Sequence, residues 1–402
     1  MPSFKSTTVS ALLLTALMSL PAAAQKKYDP GATDTEIKIG QTMPYSGPAS
    51  SYGTIGKAMA AYFEKINAEG GINGRKLKFL SQDDGYQPPK TLEAVRKLVE
   101  QDEALLLAGV LGTPTNSAIH KYMNQKKVPH LFVATGATKW GDPKNFPWTM
   151  GWQPNYQTEG WIIGRYVVET YPNAKIAALF QNDDSGKDYM KGFRDGLGQK
   201  AQQIIAEAPY EVTDPTVDSQ IVTLKSSGAD VFFLGAIPKV AAQAIRKIYD
   251  LGWRPAIIMT SVGASVSSAL EPAGLDKSVG IMSAAYLKDP TDKTWFGDKA
   301  YLDWLAFMKQ WYPQGSLIDS SNVYGYSMAQ TVVQVLKQCG DDLTRDNVMK
   351  QAANLKGLEL PMLLPGIKIN TGPDDFFPIK QMQMARFDGT AWVLFGPPIS
   401  RP

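Results

Sequence analysis

The chain has 402 residues, 44% of them hydrophobic and 20% charged, and 41 basic residues nearly balance 38 acidic ones. The charges are mixed along the chain, so the net charge of +3 leaves no basic footprint for nucleic acid. The single cysteine, Cys339, excludes an internal disulfide, so the fold must rest on a core of its own.

The first 24 residues carry the pattern of a secretory signal peptide. Lys5 gives the positive start, Ala11 to Leu20 an apolar run broken only by Thr15 and Ser19, and Ala22-Ala23-Ala24 a cleavage site before Gln25. Ten apolar residues are too few to span a bilayer. No later stretch approaches the roughly 20 that a membrane helix needs. The expectation is an exported, soluble protein in the periplasm, with a net charge of about +2 once Lys5 is removed and two domains in about 380 residues.

Glu36 to Gln41 alternates and reads as the first strand. A loop from Met43 to Gly56, dense in Pro, Gly and Ser, holds Tyr45 and Tyr52. Lys57 to Glu69 has helical spacing, with Met59, Tyr62, Phe63 and Ile66 on one face and a stop at Gly70-Gly71. A strand over Arg75 to Asp83 and a helix facing inward through Leu92, Val95, Leu98 and Val99 follow.

Leu105 to Leu111 is an apolar run ending in Gly112 and the corner Thr113-Pro114-Thr115-Asn116-Ser117, before a helical pattern from Ala118 to Gln125. A second apolar run, Leu131 to Ala134, ends in Thr135-Gly136-Ala137-Thr138. Strands alternating with helices at this pitch predict a parallel α/β sheet with right-handed crossovers. Both hydroxyl-rich corners would lie at the carboxyl ends of strands, where such sheets bind ligands. Thr113 and Thr115 would also sit at a helix N-terminus, which favours an anion. Together the corners suggest a pocket for a small carboxylate. The plainer reading makes Thr113 or Thr115 an N-cap and Thr138 a turn residue.

Trp140 to Tyr156 shows no period, and then a second alternating series begins. It comprises a helix over Trp161 to Thr170, a strand from Ala174 to Phe180 with the corner Gln181 to Gly186, and a helix carrying Tyr189, Met190, Phe193 and Leu197. Asp230 to Gly235 is a strand, Pro238 starts a helix to Leu251, and Ala256 to Thr260 is a strand ending in Ser261-Val262-Gly263. A third section has a strand at Ile281 to Tyr286 and helices near Lys299 to Trp311 and Val323 to Gln338; a β-rich tail runs from Ile367 to Phe395.

The runs IKIGQTMPYSGPASSYG, INAEGGINGRKLKF, DDGYQPPKT, GTPTNSAI, FVATGAT, QNDDSGKDY, LGAIPKVAA and VYGYSMAQ, in this order and spacing, resemble the bacterial Leu/Ile/Val-binding family. These are type I periplasmic solute-binding proteins of ABC importers. The resemblance covers essentially the whole mature chain. It implies an α/β fold of two Rossmann-like lobes with parallel sheets, joined by a hinge of crossing strands. One lobe would span residues 35–153 plus 285–365 and the other 154–284 plus 366–402. The ligand would be held in the cleft by hinge closure. The partners implied are a small-molecule carboxylate and a permease/ATPase complex in the inner membrane.

Carried across residue by residue, the resemblance places the ligand carboxylate on Thr113, Gly136 and Thr138, and a pocket aromatic at Tyr52. On the second lobe the family pattern is broken. Where amino-acid binders keep an acid that pairs with the ligand ammonium, this chain has Val262. Ser185 and Ala236 stand where aromatics are usual. A buried ammonium without a partner is costly, so either Asp183 or Asp184 substitutes, or the ligand lacks the amino group. The ligand is then a branched-chain or other hydrophobic amino acid, or an aromatic or other organic acid accommodated by the small residues. Tyr45, Tyr52, Trp152, Tyr156 and Tyr324 are candidate cleft aromatics, with core or hinge packing the simpler role for Tyr156 and Tyr324.

An enzyme is not expected, nor a cofactor or metal. The two histidines, His120 and His130, have no catalytic context, and no HExxH, CxxC or Walker A pattern occurs. Gly196 to Ala201 mimics a dinucleotide fingerprint but falls at a helix end. Asp83-Asp84 and Asp374-Asp375 read as caps and turns. A sensor that presents the same ligand to a receptor is the alternative function, since the fold serves both.

Overall fold

The two alternating series become two sheets in this computed structural model, which describes residues 1–3 and 26–402. The signal segment, apart from its first three residues, lies outside the described residues. A two-residue strand, β1 (Lys27–Tyr28), precedes the first unit. This unit runs β2 (Glu36–Met43), α1 (Gly53–Ala68), β3 (Lys76–Asp83), α2 (Pro88–Glu100), β4 (Leu106–Ala108), α3 (Thr113–Lys126), β5 (His130–Val133) and β6 (Thr149–Gly151). Its sheet has the order β3-β2-β4-β5-β6 and is parallel throughout. Every residue of β4 and β5 is buried. That is why both read as unbroken apolar runs instead of alternating.

The second unit runs α4 (Tyr156–Thr170), β7 (Ile176–Gln181), α5 (Asp184–Leu197), β8 (Ile204–Tyr210), α6 (Asp218–Ser226), β9 (Val231–Gly235), α7 (Pro238–Asp250), β10 (Ala256–Met259), the single turn α8 (Glu271–Ala273) and β11 (Met282–Ala285). The chain then supplies α9 (Lys299–Trp311) and α10 (Ser320–Cys339), both of which pack on α1 of the first unit. Next come β12 (Asp342–Leu343), which pairs with β1, and α11 (Arg345–Ala352). The tail returns to the second sheet as β13 (Gln381–Phe387), β14 (Trp392–Leu394) and β15 (Ile399–Ser400). That sheet has the order β14-β13-β11-β10-β9-β7-β8, with β15 on β13. It is parallel from β8 to β11 and antiparallel where the tail joins. Among the described residues no helix is long and apolar enough to cross a membrane.

Three local differences from the sequence reading matter for the site. Helix α3 begins at Thr113, not Ala118, with Pro114 in its first turn, where a missing N–H costs nothing. Helix α4 begins at Tyr156, because the Asn155 side chain accepts from the Thr158 N–H and caps it. The segment between Leu197 and Asp230, which shows no clear period, contains β8 and α6. Strand β8 lies at the sheet edge with Ile205 exposed, so its pattern carries little burial signal.

Candidate functional site

The carboxyl ends of the two sheets face each other across a cavity with about 1290 Å³ of empty space, part of it open to solvent. Tyr52, Tyr86, Leu111, Thr113 and Ala134 line it from the first unit. Gln181, Ser185, Tyr210, Ala236, Ser261 and Val262 line it from the second. The units touch around it. The Tyr52 hydroxyl donates to the Val262 carbonyl at 2.9 Å, and the Ser265 hydroxyl donates to Asp319 at 2.9 Å. The Thr138 N–H donates to Asp188 at 2.7 Å, and Lys139 pairs with Asp184 at 2.8 Å.

On the first wall, Gly112 has φ +98°, and a Cβ there would meet the Tyr86 ring at 2.4 Å. Only glycine allows this turn into α3. The first residue of the helix, Thr113, lines the cavity, its hydroxyl hydrogen-bonded to that of Thr135. Thr115 is turned back onto the carbonyls of Leu111 and Gly112, so of the two threonines only Thr113 faces ligand space.

The second corner behaves differently. Neither lies on the cavity wall. Gly136 lies beneath Tyr156, where a Cβ would stand 2.7 Å from the ring. The Thr138 amide is given to a carboxylate of the protein's own, since Asp188 takes it on one oxygen and the Gln157 side-chain amide at 2.7 Å on the other. The corner is therefore a contact between the units.

Of the candidate aromatics, Tyr52, Tyr156 and Tyr324 line the cavity. Tyr156 and Tyr324 also pack, on Tyr189 and Trp152 respectively. Tyr45 shares a hydrogen bond with Ser81 at 2.6 Å. Trp152 is fully buried, donates its indole N–H to Thr331 at 2.9 Å and meets Tyr324 edge-on. Sequence reasoning missed Tyr86, Tyr189, Tyr210 and Tyr286, which also line the space. Tyr86 could have been found from its place in the glycine corner after β3, whereas Tyr210 ends the unread strand β8. Tyr189 was legible only as part of an apolar helix face, and it stacks on Tyr156 at 4.2 Å. Burial pushes the phenols upward, Tyr156 to about 12, so they are neutral hydrogen-bonding groups near pH 7.

On the second wall, Ser185, Ala236 and Val262 all line the cavity. Asp183 is spent as the N-cap of α5, accepting from the Ser185 and Gly186 amides. Asp184 is held below the usual carboxylate range, first by its hydrogen bond from Lys139. The acid that sequence reasoning missed is Glu159 of α4, 1% exposed. Its carboxylate accepts from the Ser261 N–H at 2.6 Å, the Ser261 hydroxyl at 2.9 Å and the Tyr189 hydroxyl at 3.2 Å. Glycines at the crossing of α4 and α5 bring it there. A Cβ on Gly160 would sit 2.4 Å from the Tyr189 carbonyl, and one on Gly164 2.5 Å from that of Phe193. Burial raises the Glu159 carboxyl to about 7, against the pull of its three donors.

Away from the cavity, His120 stacks on Phe146, and burial lowers it to about 4 and His130 to about 3. Among the described residues no three His, Cys, Asp or Glu side chains are grouped to hold a metal.

A sequence model of the family described as periplasmic binding protein matches residues 36–391. The Leu/Ile/Val-binding protein homolog 1 of Brucella abortus (strain 2308) is 24% identical over 318 residues, 78% of this chain and 81% of that protein. A branched chain amino acid ABC transporter protein from Thermus thermophilus, solved with bound valine, superposes with a TM-score of 0.82 at 14% identity, over 91% of this chain and 97% of that one. A solute binding protein of an ABC transporter from Rhodopseudomonas palustris BisB5, in complex with 3,4-dihydroxy benzoic acid, gives 0.75 at 19% identity, over 92% and 98%. The chain belongs to the periplasmic binding protein family and has its type I fold of two parallel-sheet lobes.

Proposed function

We propose that the protein is the periplasmic solute-binding component of an ABC importer. It takes a small hydrophobic carboxylate, either a hydrophobic amino acid such as a branched-chain one or an aromatic or other organic acid. The observation that carries this is the tyrosine-lined cavity closed by the Tyr52–Val262 hydrogen bond between the two sheets. Apolar walls with a few convergent polar groups are what a small organic ligand requires. Thr113, at the N-terminus of α3, is the group for the ligand carboxylate. Tyr52, Ser185, Ala236 and Val262 complete the contacts, while Gly136 and Thr138 serve closure instead of contact. Residues 35–153 plus 285–365 move as one lobe against 154–284 plus 366–402, with the crossing segments as hinge. The docking partner is a permease/ATPase complex, reached after export by the signal peptide. The protein binds its solute without transforming it.

The test is a melting screen against Leu, Ile, Val and Phe and against matched carboxylates without the amino group, benzoates included. A ligand at about 100 times its Kd adds roughly 2.7 kcal/mol of stability. A shift with members of either panel is the expected result; silence from both panels rules out this ligand class.

A further inference from the structure

We infer that a groove on the second lobe, at the opposite end of its sheet from the cavity, is a second binding site, and that it takes a small aromatic anion such as a carboxylate or sulfonate. The inference stands apart from the proposed reading of the cavity, since the two spaces share no lining residue.

The groove holds about 750 Å³ of empty space, part of it open to solvent. It lies at the amino ends of β10 and β11, whereas the cavity lies beyond their carboxyl ends. From Ala256 on the groove to Ser261 on the cavity is roughly 16 Å along the chain. The floor is apolar and is made by Ile245, Ile248, Trp253, Ile257 and Met282, all buried. Tyr249 and Val279 also line the groove and are 40% and 57% exposed. Exposed apolar side chains beside an apolar floor give a flat organic body a place to leave water.

Three cations line the same groove, Arg254, Lys277 and Arg386, and no acid does. Of these, only Lys277 has a carboxylate partner among the described residues, Asp250 at 3.6 Å. Arg254 is held in place. Its Nη1 donates to the carbonyls of Tyr249 and Trp253, both at 3.0 Å, and its guanidinium lies over the Tyr249 ring, 4.3 Å from the centroid. The simpler role, a cap on the last turn of α7, uses this nitrogen alone. Among the described residues Nε and Nη2 make no hydrogen bond, and together they form an edge that takes a carboxylate or sulfonate on two parallel bonds. Lys277 reaches the same Tyr249 ring, 5.3 Å from its centroid. Two cations gathered on one tyrosine repel each other, and an anion beside them relieves this. Arg386, opposite Met282 in the ladder, lies over Phe395 at 5.4 Å. Exposed charges hold an inorganic ion weakly in salt water. The apolar floor selects an organic anion, and the guanidinium plane and the tyrosine ring, which stack on flat groups, select an aromatic one.

The test titrates the protein with the fluorescent anion anilinonaphthalene sulfonate and with phenylnaphthylamine, its analogue without the sulfonate. One site should bind the sulfonate at least about tenfold more tightly than the analogue. Arg254→Ala and Arg386→Ala should each weaken that site about tenfold. Arg254→Lys should weaken it about threefold, because lysine keeps the charge and loses the paired bonds. Lys90→Ala, which removes an exposed charge from α2 of the other lobe, should leave it unchanged. Sodium sulfate should compete no better than sodium chloride of equal ionic strength. The inference is overturned if the wild type does not bind the sulfonate, if the uncharged analogue binds as tightly, or if both alanine variants bind as the wild type does, which would put the probe elsewhere. An equal loss in Lys90→Ala would also overturn it, since net charge and not the groove would then set the affinity. Arg386 caps no helix, so its variant decides even if Arg254→Ala does not fold.

Discussion

The two walls of the cavity are built alike and have opposite chemistry. Each is a set of corners at the carboxyl ends of parallel strands, rich in small and hydroxylic residues. The first wall offers Thr113 at the head of α3, a place that favours negative charge. The second places a buried acid behind Ser261 and Tyr189, which favours positive charge. Corners of the same composition acquire their polarity from what lies behind them, a helix end in one case and a carboxylate in the other.

The largest test of this contrast is the stability of the free protein against pH. Glu159 has its folded carboxyl raised by burial to about 7 from its ordinary 4.5. A raised acid binds more protons folded than unfolded, so its contribution is full below about pH 4.5 and is lost as pH rises through about 7. The loss is on the order of 3 kcal/mol. Denaturant titrations across this range should show the decline in the wild type and a flatter profile in Glu159→Gln; parallel profiles would mean that burial does not raise this carboxyl.

A smaller effect separates wall residues from closure residues. Asp188 accepts the Thr138 amide across the units but does not line the cavity. Asp188→Ala removes this acceptor and should weaken ligand binding by about 1–2 kcal/mol, through loss of the closed form. Small-angle scattering of the ligand-free variant should show a more open particle than the wild type; an identical profile with unchanged affinity would make the contact incidental.

The smallest test lies within the first wall. Thr113→Val keeps the shape and removes a hydroxyl facing the cavity, at a cost of about 1 kcal/mol in binding. Thr138→Val should leave the affinity nearly unchanged, because the contact there is made by the backbone. If titrations ranked the two variants the other way, the assignment of Thr113 as the anion side would fall.

The corner at Thr113 was legible because its signals are local: an apolar run, a glycine and two threonines before a helical pattern. The corner at Gly136 was legible for the same reason, yet what it faces was not. Tyr156 and Asp188 come from α4 and α5, and only the assembled fold brings them there. Glu159 was hidden more deeply. A single acid at the start of an apolar helical pattern reads as the solvent face, and nothing nearby in the chain indicates that Ser261 will cover it. Tyr210 was lost with β8, an edge strand whose burial alternates but whose outward Ile205 is apolar, so the sequence itself does not alternate. The two-sheet architecture was recoverable because parallel strands buried on both faces give long apolar runs.

The return of the tail to the second sheet sets an order of events in synthesis. The first sheet is complete once Gly151 has been made, although α10, which covers α1, comes later. The second sheet is not complete then or for a long time after, because Met282 of β11 pairs with Arg386. Until residues 381–387 have been made, β11 has one unpaired edge, and such an edge invites pairing with other chains. The second lobe is thus the part exposed to aggregation while the chain is being made and moved, and it depends on whatever keeps nascent chains apart until the last strands arrive.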